Sequence, residues 1–148
     1  MPIYFFNESK INLPLKGKKI LLKKFIQNLA KKENKKIENI SLIFVTNKKI
    51  RELNKRFLNK DYNTDVIAFY YNSPNEPISG DIFISVSQVK KNAKKYNETF
   101  QNELLRIIIH GCLHLFGYKD YTDSERKIMT EKQENYLNEF LNILKKIK

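Results

Sequence analysis

Short β-branched and aromatic runs alternate with longer amphipathic segments along the whole chain, and this order constrains its fold most. A compact apolar run predicts a strand, whereas apolar residues at every third or fourth position predict a helix with one buried face. Predicted strands span 3–7, 40–45, 66–71 and 80–85, and predicted helices span 18–34, 46–58, 85–96, 98–116 and 123–145. The order β-α-β-α-β-β-α-α-α predicts a small α+β fold, in which about five helices pack on one mixed sheet of about four strands.

Polar residues and glycines mark the predicted ends of these elements. Thr46 is the predicted N-cap of the second helix, Ser85 or Ser87 that of the third, and Asp123 that of the last, since a side-chain oxygen there satisfies a free backbone N–H. Gly117 is predicted to end the long apolar helix. Polar loops are predicted at 60–63 and 73–79.

The chain has 148 residues, which predicts one domain over 1–148 with enough apolar surface to fold without disulfides. Its one cysteine, Cys112, excludes an intrachain disulfide and is typical of a reducing compartment. The N-terminal sequence lacks the pattern of a signal peptide, and no apolar stretch approaches the ~20 residues that span a bilayer. We therefore expect a soluble cytoplasmic protein with no membrane partner.

The formal net charge of +12 predicts a polyanionic partner, because clustered cations gain free energy by releasing phosphate counterions. Only four of the 28 basic residues are arginines, and this skew also fits a genome rich in A and T, which inflates lysine regardless of function. The charge alone leaves both explanations open. Five lysines are the candidates for contact with RNA phosphates, although an ordinary solvated surface explains them as well: Lys60, Lys90, Lys91, Lys94 and Lys95.

The chain has two histidines, His110 and His114, and both lie in the predicted long apolar helix. Four residues turn a helix by ~400°, so that both imidazoles share one face and can reach one tetrahedral ion. A coincidental pair is the alternative, but an unpaired imidazole in an apolar helix would be costly to bury. Asp120 follows the glycine stop by three residues, and its carboxylate can fold back to complete a three-ligand set.

The segment 110–120, HGCLHLFGYKD, resembles the signature of the YbeY family of bacterial endoribonucleases, usually written His-Gly-x-Leu-His-Leu-x-Gly-Tyr-Asp-His. Other blocks of the family appear in order at 53–54, 60–61, 64–69 and 80–85, so that the resemblance covers roughly residues 40 to 137. It implies one Zn²⁺ per chain, with Mn²⁺ or another divalent metal as alternatives. It also implies ribosomal RNA and the small ribosomal subunit as partners.

Two positions depart from the family pattern. Asp120 stands where the family has its third histidine, so the implied ligand set is His110, His114 and Asp120, which zinc accepts with an open fourth position. The carboxylate shifts the metal preference towards harder ions such as Mn²⁺. Leu58 stands where the family pattern has an arginine implicated in catalysis, and Arg56, which faces another direction on a helix, does not take its place.

Asp65 and Asp81 are the candidate catalytic proton acceptors, because each lies in a block shared with the family, although turn or cap chemistry explains both as well. Glu103, seven residues before His110, can orient that ligand from outside the coordination set or be an ordinary solvated or capping residue. Cys112 faces away from His110 and is predicted to be a small buried hydrophobe.

The resemblance therefore implies a metal-dependent, single-strand-specific endoribonuclease that acts in 3′-end maturation of small-subunit ribosomal RNA and in ribosome quality control. A non-catalytic ribosome-associated factor with a structural metal is one alternative, which Leu58 and Asp120 favour. A metallopeptidase-like hydrolase is another, which Gly111 disfavours because helical zinc peptidases keep a glutamate at that position. The oligomeric state stays open.

Overall fold

The computed structural model describes residues 2–60 and 64–147, and within them the chain forms four strands and five helices. The strands are β1 (Ile3–Asn7), β2 (Ile37–Val45), β3 (Val66–Tyr70) and β4 (Ile78–Ser85). The helices are α1 (Lys19–Lys32), α2 (Asn47–Leu58), α3 (Val86–Lys95), α4 (Phe100–Leu115) and α5 (Asp123–Lys145). The predicted order of elements is confirmed. Of the polar loop predicted at 60–63, residues 61–63 lie outside the described part of the chain.

The strands form one mixed sheet in the order β1-β2-β4-β3. β1 and β4 each pair in parallel with β2, whereas β3 pairs antiparallel with β4. One row across the sheet therefore aligns Ile3, Ile40, Gly80 and Tyr70. The predicted α+β class with a single mixed sheet is confirmed.

β2 and β4 begin earlier than predicted, at Ile37 and Ile78 instead of at 40 and 80. These two residues are paired with each other across the sheet. Glu38 and Asn39 follow Ile37 with exposed side chains and interrupt the apolar pattern. The sequence therefore does not predict a buried strand at the start of β2.

The helix α4 lies against one face of the sheet and also contacts α3 and α5. This enclosure explains why most residues of α4 from Leu104 onwards are apolar, since most sides of the helix are buried. Gly111 permits the close approach to β4, because a Cβ at that position would lie 2.6 Å from Cγ2 of Ile82. Cys112 is fully buried in this core, as predicted, and burial raises the pKa of its thiol to about 12.

Among the helices in the described residues, none combines the length and the apolar character that a membrane span requires.

The opposite face of the sheet carries a smaller apolar cluster, which α2 covers. Its buried members are Val45, Ile50, Leu53 and Ile67. The two faces of the sheet are therefore covered by different helices, and the face under α4 is the one that positions the histidines.

Side-chain oxygens cap several helices, and the sequence predicts some of these N-cap residues correctly. Thr46 caps α2 as predicted, and Ser85 rather than Ser87 caps α3. The prediction of Asp123 as the N-cap of α5 is wrong, because Thr122 caps this helix and Asp123 is its first residue. Thr122 and Glu125 form a capping box, in which each side chain accepts a hydrogen bond from the backbone N–H of the other.

Candidate metal centre

His110 and His114 lie in the last two turns of α4 and turn their imidazoles towards each other. Their Nε2 atoms are 3.0 Å apart, and their ring planes cross at 83°. About a quarter of each side chain is exposed, although most neighbouring residues of α4 are buried. The spacing of one helical turn thus brings two ring nitrogens to a single point at the rim of the core.

A Schellman motif after α4 returns the chain towards both histidines. The N–H of Tyr118 donates to the carbonyl of Leu113 at 3.0 Å, and the N–H of Gly117 donates to the carbonyl of His114 at 3.1 Å. Gly117 has a positive φ of 105°, which residues with a Cβ rarely adopt. The predicted glycine stop is therefore confirmed, and it redirects the segment that carries Asp120.

Asp120 completes a cluster of three donor groups with the two histidines. Its Oδ2 lies 3.4 Å from Nε2 of His114 and 3.8 Å from Nε2 of His110. Two ligand atoms about 2.1 Å from a tetrahedral ion lie roughly 3.4 Å apart. The distances between the three donor atoms of the cluster bracket this value, so the three residues can hold one metal ion.

Hydrogen bonds determine which nitrogen of each imidazole faces the cluster. Nδ1 of His110 donates to Oε1 of Gln133 at 2.7 Å, and Nδ1 of His114 donates to the backbone carbonyl of Tyr118 at 3.1 Å. In the neutral imidazole, a proton on Nδ1 leaves a lone pair on Nε2. Two lone pairs and a carboxylate oxygen of Asp120 therefore face one point, and a cation at that point offsets their mutual repulsion.

The pKa of His114 is lowered by its burial and, to a smaller extent, by the neighbouring His110. Asp120 and the carbonyl of Tyr118 raise this pKa without cancelling the effect of burial. His114 is therefore neutral at about pH 7, which is the protonation state that a metal ligand requires.

An open cleft of about 440 Å³ begins at His114 and Asp120. Its volume lies within the range of about 300–1,000 Å³ that is usual for ligand pockets. The wall combines apolar, basic and aromatic side chains, which include Leu58, Val66, Lys60, Lys119, Tyr70 and Tyr121. A ligand in the cleft would therefore meet positive charge and aromatic rings next to the three donor atoms.

The two candidate proton acceptors are engaged elsewhere. Asp65 accepts a hydrogen bond of 3.2 Å from Asn92 of α3. Asp81 accepts one of 2.8 Å from Tyr71 and points away from α4, because the alternate residue Ile82 faces that helix. Within the described residues, neither carboxylate lines the cleft. The geometry therefore gives local structural roles more support than catalytic ones.

The five candidate RNA-contacting lysines divide between two surfaces. Lys60 lines the cleft, whereas the other four lie on α3 with exposed side chains. Sequence analysis missed Lys119, which lines the cleft beside Asp120. Its place within the segment 110–120 is the signal that identifies it, since the residue next to a predicted ligand lies near the site.

The side chain that accepts the hydrogen bond from Nδ1 of His110 is that of Gln133 rather than that of Glu103. Glu103 is buried and pairs with Arg106, with 2.6 Å between Oε1 and Nη1. Gln133 lies on α5, and its contact with His110 depends on how α5 packs against α4. No local pattern in the sequence links two residues on different helices in this way.

Three comparisons with known proteins point to one family. The sequence model of one family, described as Endoribonuclease YbeY, matches residues 4–141. Relatives with that name include a protein from Parabacteroides distasonis, 42% identical over 93% of this chain and 94% of the relative. Another, from Karelsulcia muelleri, is 40% identical over 91% of this chain and 93% of the relative. A solution structure of a Thermotoga maritima protein matches with a TM-score of 0.68 and 34% identity, over 97% of this chain and 92% of that one.

Proposed function

Because the chain belongs to the YbeY family of endoribonucleases, we propose that it hydrolyses phosphodiester bonds of single-stranded RNA with the help of a bound divalent metal. Its proposed substrate is the 3′ region of small-subunit ribosomal RNA, which it matures and surveys in ribosome quality control. It does so in the cytoplasm, as one domain over residues 1–148. The family supports the ribosomal role, and the site supports the metal chemistry.

One observation carries the metal-dependent part of the proposal. Nε2 of His110, Nε2 of His114 and Oδ2 of Asp120 converge within 3.8 Å of one another at the edge of an open cleft. A structural zinc site is normally closed by four protein ligands, whereas a catalytic site keeps one position open. Three donors beside a cleft match the second kind of site.

The proposed cofactor is one Zn²⁺ per chain, and the carboxylate of Asp120 makes Mn²⁺ an acceptable alternative. A divalent ion bound there supplies Lewis-acid chemistry at a phosphoryl oxygen and acidifies water. The residues themselves bind and orient it. His110 and His114 offer ring nitrogens whose direction is set by their Nδ1 hydrogen bonds. Asp120 lowers the net charge of the ligand set by one.

The walls of the cleft support RNA as the substrate. Lys60 and Lys119 place two cations along the cleft that begins at His114 and Asp120, where phosphates of the strand can pair with them. Tyr70 and Tyr121 present exposed rings on which unpaired bases can stack. The cleft has the volume of an ordinary ligand pocket, which can accommodate unpaired nucleotides.

A non-catalytic ribosome-associated factor with a structural metal is the second candidate. Leu58 favours it, because this apolar side chain lines the cleft where the family pattern has an arginine. A peptidase is less well supported. Position 111 follows His110 directly, and a side chain there would collide with Ile82, so it cannot carry the glutamate of helical zinc peptidases.

The test combines metal analysis with RNA cleavage. Wild type loaded with Zn²⁺ or Mn²⁺ is expected to cut single-stranded RNA above a chelator control. His114→Ala is expected to lose both bound metal and cleavage, whereas Asn135→Ala, at an exposed position of α5, keeps both. Cleavage by a metal-free His114→Ala protein would overturn the proposal. Metal binding by wild type without any cleavage would favour the second candidate.

Asp120→Ala tests the third ligand separately. Loss of a hydrogen-bonding partner outside the coordination set typically weakens metal binding by roughly 10–100-fold. Loss of the Asp120 carboxylate, a proposed ligand, is expected to weaken it by more than that. Retention of stoichiometric metal with unchanged affinity would show that Asp120 is not a ligand, even with the family assignment intact.

A further inference from the structure

A chain of hydrogen bonds connects His110 to a charged pair between α4 and α5. We propose that Gln133 is a positioning residue, which holds His110 in the ring orientation and tautomer that direct Nε2 at the metal. The inference rests on the proposed metal site and adds a residue outside the three donors. Its first link is the 2.7 Å hydrogen bond from Nδ1 of His110 to Oε1 of Gln133.

The next link determines which end of the Gln133 amide faces the histidine. Nε2 of Gln133 donates to Oε2 of Glu134 at 3.0 Å. An ionised carboxylate can only accept hydrogen bonds, so the amide nitrogen must face Glu134 and the amide oxygen must face His110. The oxygen in turn requires the proton of the imidazole on Nδ1, which leaves Nε2 bare. Glu134 thus sets the tautomer of a residue that it does not contact directly.

Glu134 is itself held in place by a bidentate ion pair with Arg106. Nε of Arg106 lies 2.9 Å from Oε2 of Glu134, and Nη2 lies 3.1 Å from Oε1. Nη1 of the same guanidinium lies 2.6 Å from Oε1 of the buried Glu103. Paired hydrogen bonds of this kind fix orientation as well as distance, so the carboxylate of Glu134 has little freedom to rotate.

Both ends of this hydrogen-bond chain lie on α4. Arg106 precedes His110 by one helical turn, and Gln133 and Glu134 reach both residues from α5. The ligand histidine is therefore oriented through a second helix that is anchored to the same turn of α4. Gln133 provides this support without adding charge, since its amide is neutral. Loss of such a partner typically weakens metal affinity by about 10–100-fold.

Three variants on α5 test the inference. Gln133→Met has similar length but only a weak sulfur acceptor, whereas Gln133→Glu keeps an oxygen acceptor for Nδ1 of His110. Asn135→Met introduces the same thioether at an exposed position of the same helix. Zn²⁺ affinity is measured for each by competition with a chromophoric chelator. The tautomer of His110 is read in metal-free protein from long-range ¹H–¹⁵N correlations, which do not depend on activity.

Gln133→Met is expected to weaken Zn²⁺ binding by about 10–100-fold and to shift metal-free His110 away from the Nδ1–H tautomer. Gln133→Glu is expected to keep the wild-type tautomer, because a carboxylate oxygen still accepts from Nδ1 of His110, and Asn135→Met is expected to keep both the tautomer and the affinity. The inference is overturned if Gln133→Met binds Zn²⁺ as tightly as wild type, or if Gln133→Glu shifts the tautomer of metal-free His110 as far as Gln133→Met does. Failure of wild type to bind metal at all would instead count against the proposed function, so the two outcomes are distinguishable.

Discussion

The hydroxyl of Tyr118 donates a hydrogen bond of 2.5 Å to Glu33 at the C-terminal end of α1, 85 residues earlier in the chain. The same carboxylate accepts hydrogen bonds from Lys132 and Tyr136 of α5. The carbonyl of Tyr118 is the acceptor for Nδ1 of His114. Glu33 therefore joins α1 and α5 to the segment that orients the second histidine.

Glu33→Gln is expected to destabilise the fold by about 1.5–3 kcal/mol at neutral pH, because hydrogen bonds to a charged acceptor are lost. Burial raises the pKa of Glu33, but the hydrogen bonds from Tyr118, Tyr136 and Lys132 outweigh it and hold the pKa below its ordinary value of 4.5. The stabilisation is thus complete above that value and disappears as the pH falls through the lowered pKa. Urea unfolding at neutral and acidic pH measures the difference.

Glu139→Gln is the matched control for Glu33. Glu139 pairs with Lys32 at 2.8 Å, but about half of each side chain is exposed. Its loss is expected to change the free energy of unfolding by less than about 1 kcal/mol. Equal effects of the two substitutions, or a gap between wild type and Glu33→Gln that persists at acidic pH, would contradict the assigned role of Glu33.

Gly111→Ala is expected to lower the free energy of unfolding by about 1–2 kcal/mol. The new Cβ would lie 2.6 Å from Cγ2 of Ile82, and the resulting overpacking exceeds the gain in helix propensity. Chemical denaturation measures the effect. The double variant with Ile82→Ala is expected to cost less than the sum of the two single variants, because the obstructing side chain is gone. Additive effects would show that the contact between the Cβ at position 111 and Ile82 is not the source of the destabilisation.

The parts of the site that sequence analysis predicts are those that local geometry controls. His110 and His114 share a helix, so their spacing alone places both rings on one face. Gly117 ends that helix, and Asp120 follows close enough to return to the same end. Each inference spans at most a few residues, and none requires knowledge of how the helices pack.

The parts that sequence analysis does not predict depend on packing between elements. Gln133 reaches His110 only because α5 crosses α4 at the right depth. The lysines of α3 form a cluster in the sequence, yet the cleft opens elsewhere, between the end of α4, β3 and α2. Thr122 is a different case, because a local pattern does identify it. The pattern Thr-x-x-Glu at Thr122 indicates that this residue, and not the predicted Asp123, is the N-cap of α5.

Two double variants separate the basic surfaces that RNA can contact. Lys60→Ala with Lys119→Ala removes the cleft cations, and Lys91→Ala with Lys94→Ala removes a matched pair from α3. RNA affinity is measured against salt concentration, with a chelator present to keep the RNA intact. The cleft pair is expected to reduce the slope of log K against log salt by about 1.4, and the α3 pair to leave it unchanged. The reverse result would assign RNA contact to α3.

Leu58→Arg is expected to raise kcat/KM for RNA by about tenfold to a hundredfold. Leu58 is 43% exposed and lines the cleft, where a guanidinium can bind phosphate and stabilise the charge that develops in the transition state. Arg56 does not fill this role, because its guanidinium lies 5.3 Å from the ring centroid of Phe57 and lines a different surface pocket. Arg56→Met is therefore the control and should cleave like wild type. If Leu58→Arg binds metal normally and cleaves no faster, an arginine at this position has no catalytic role in this cleft.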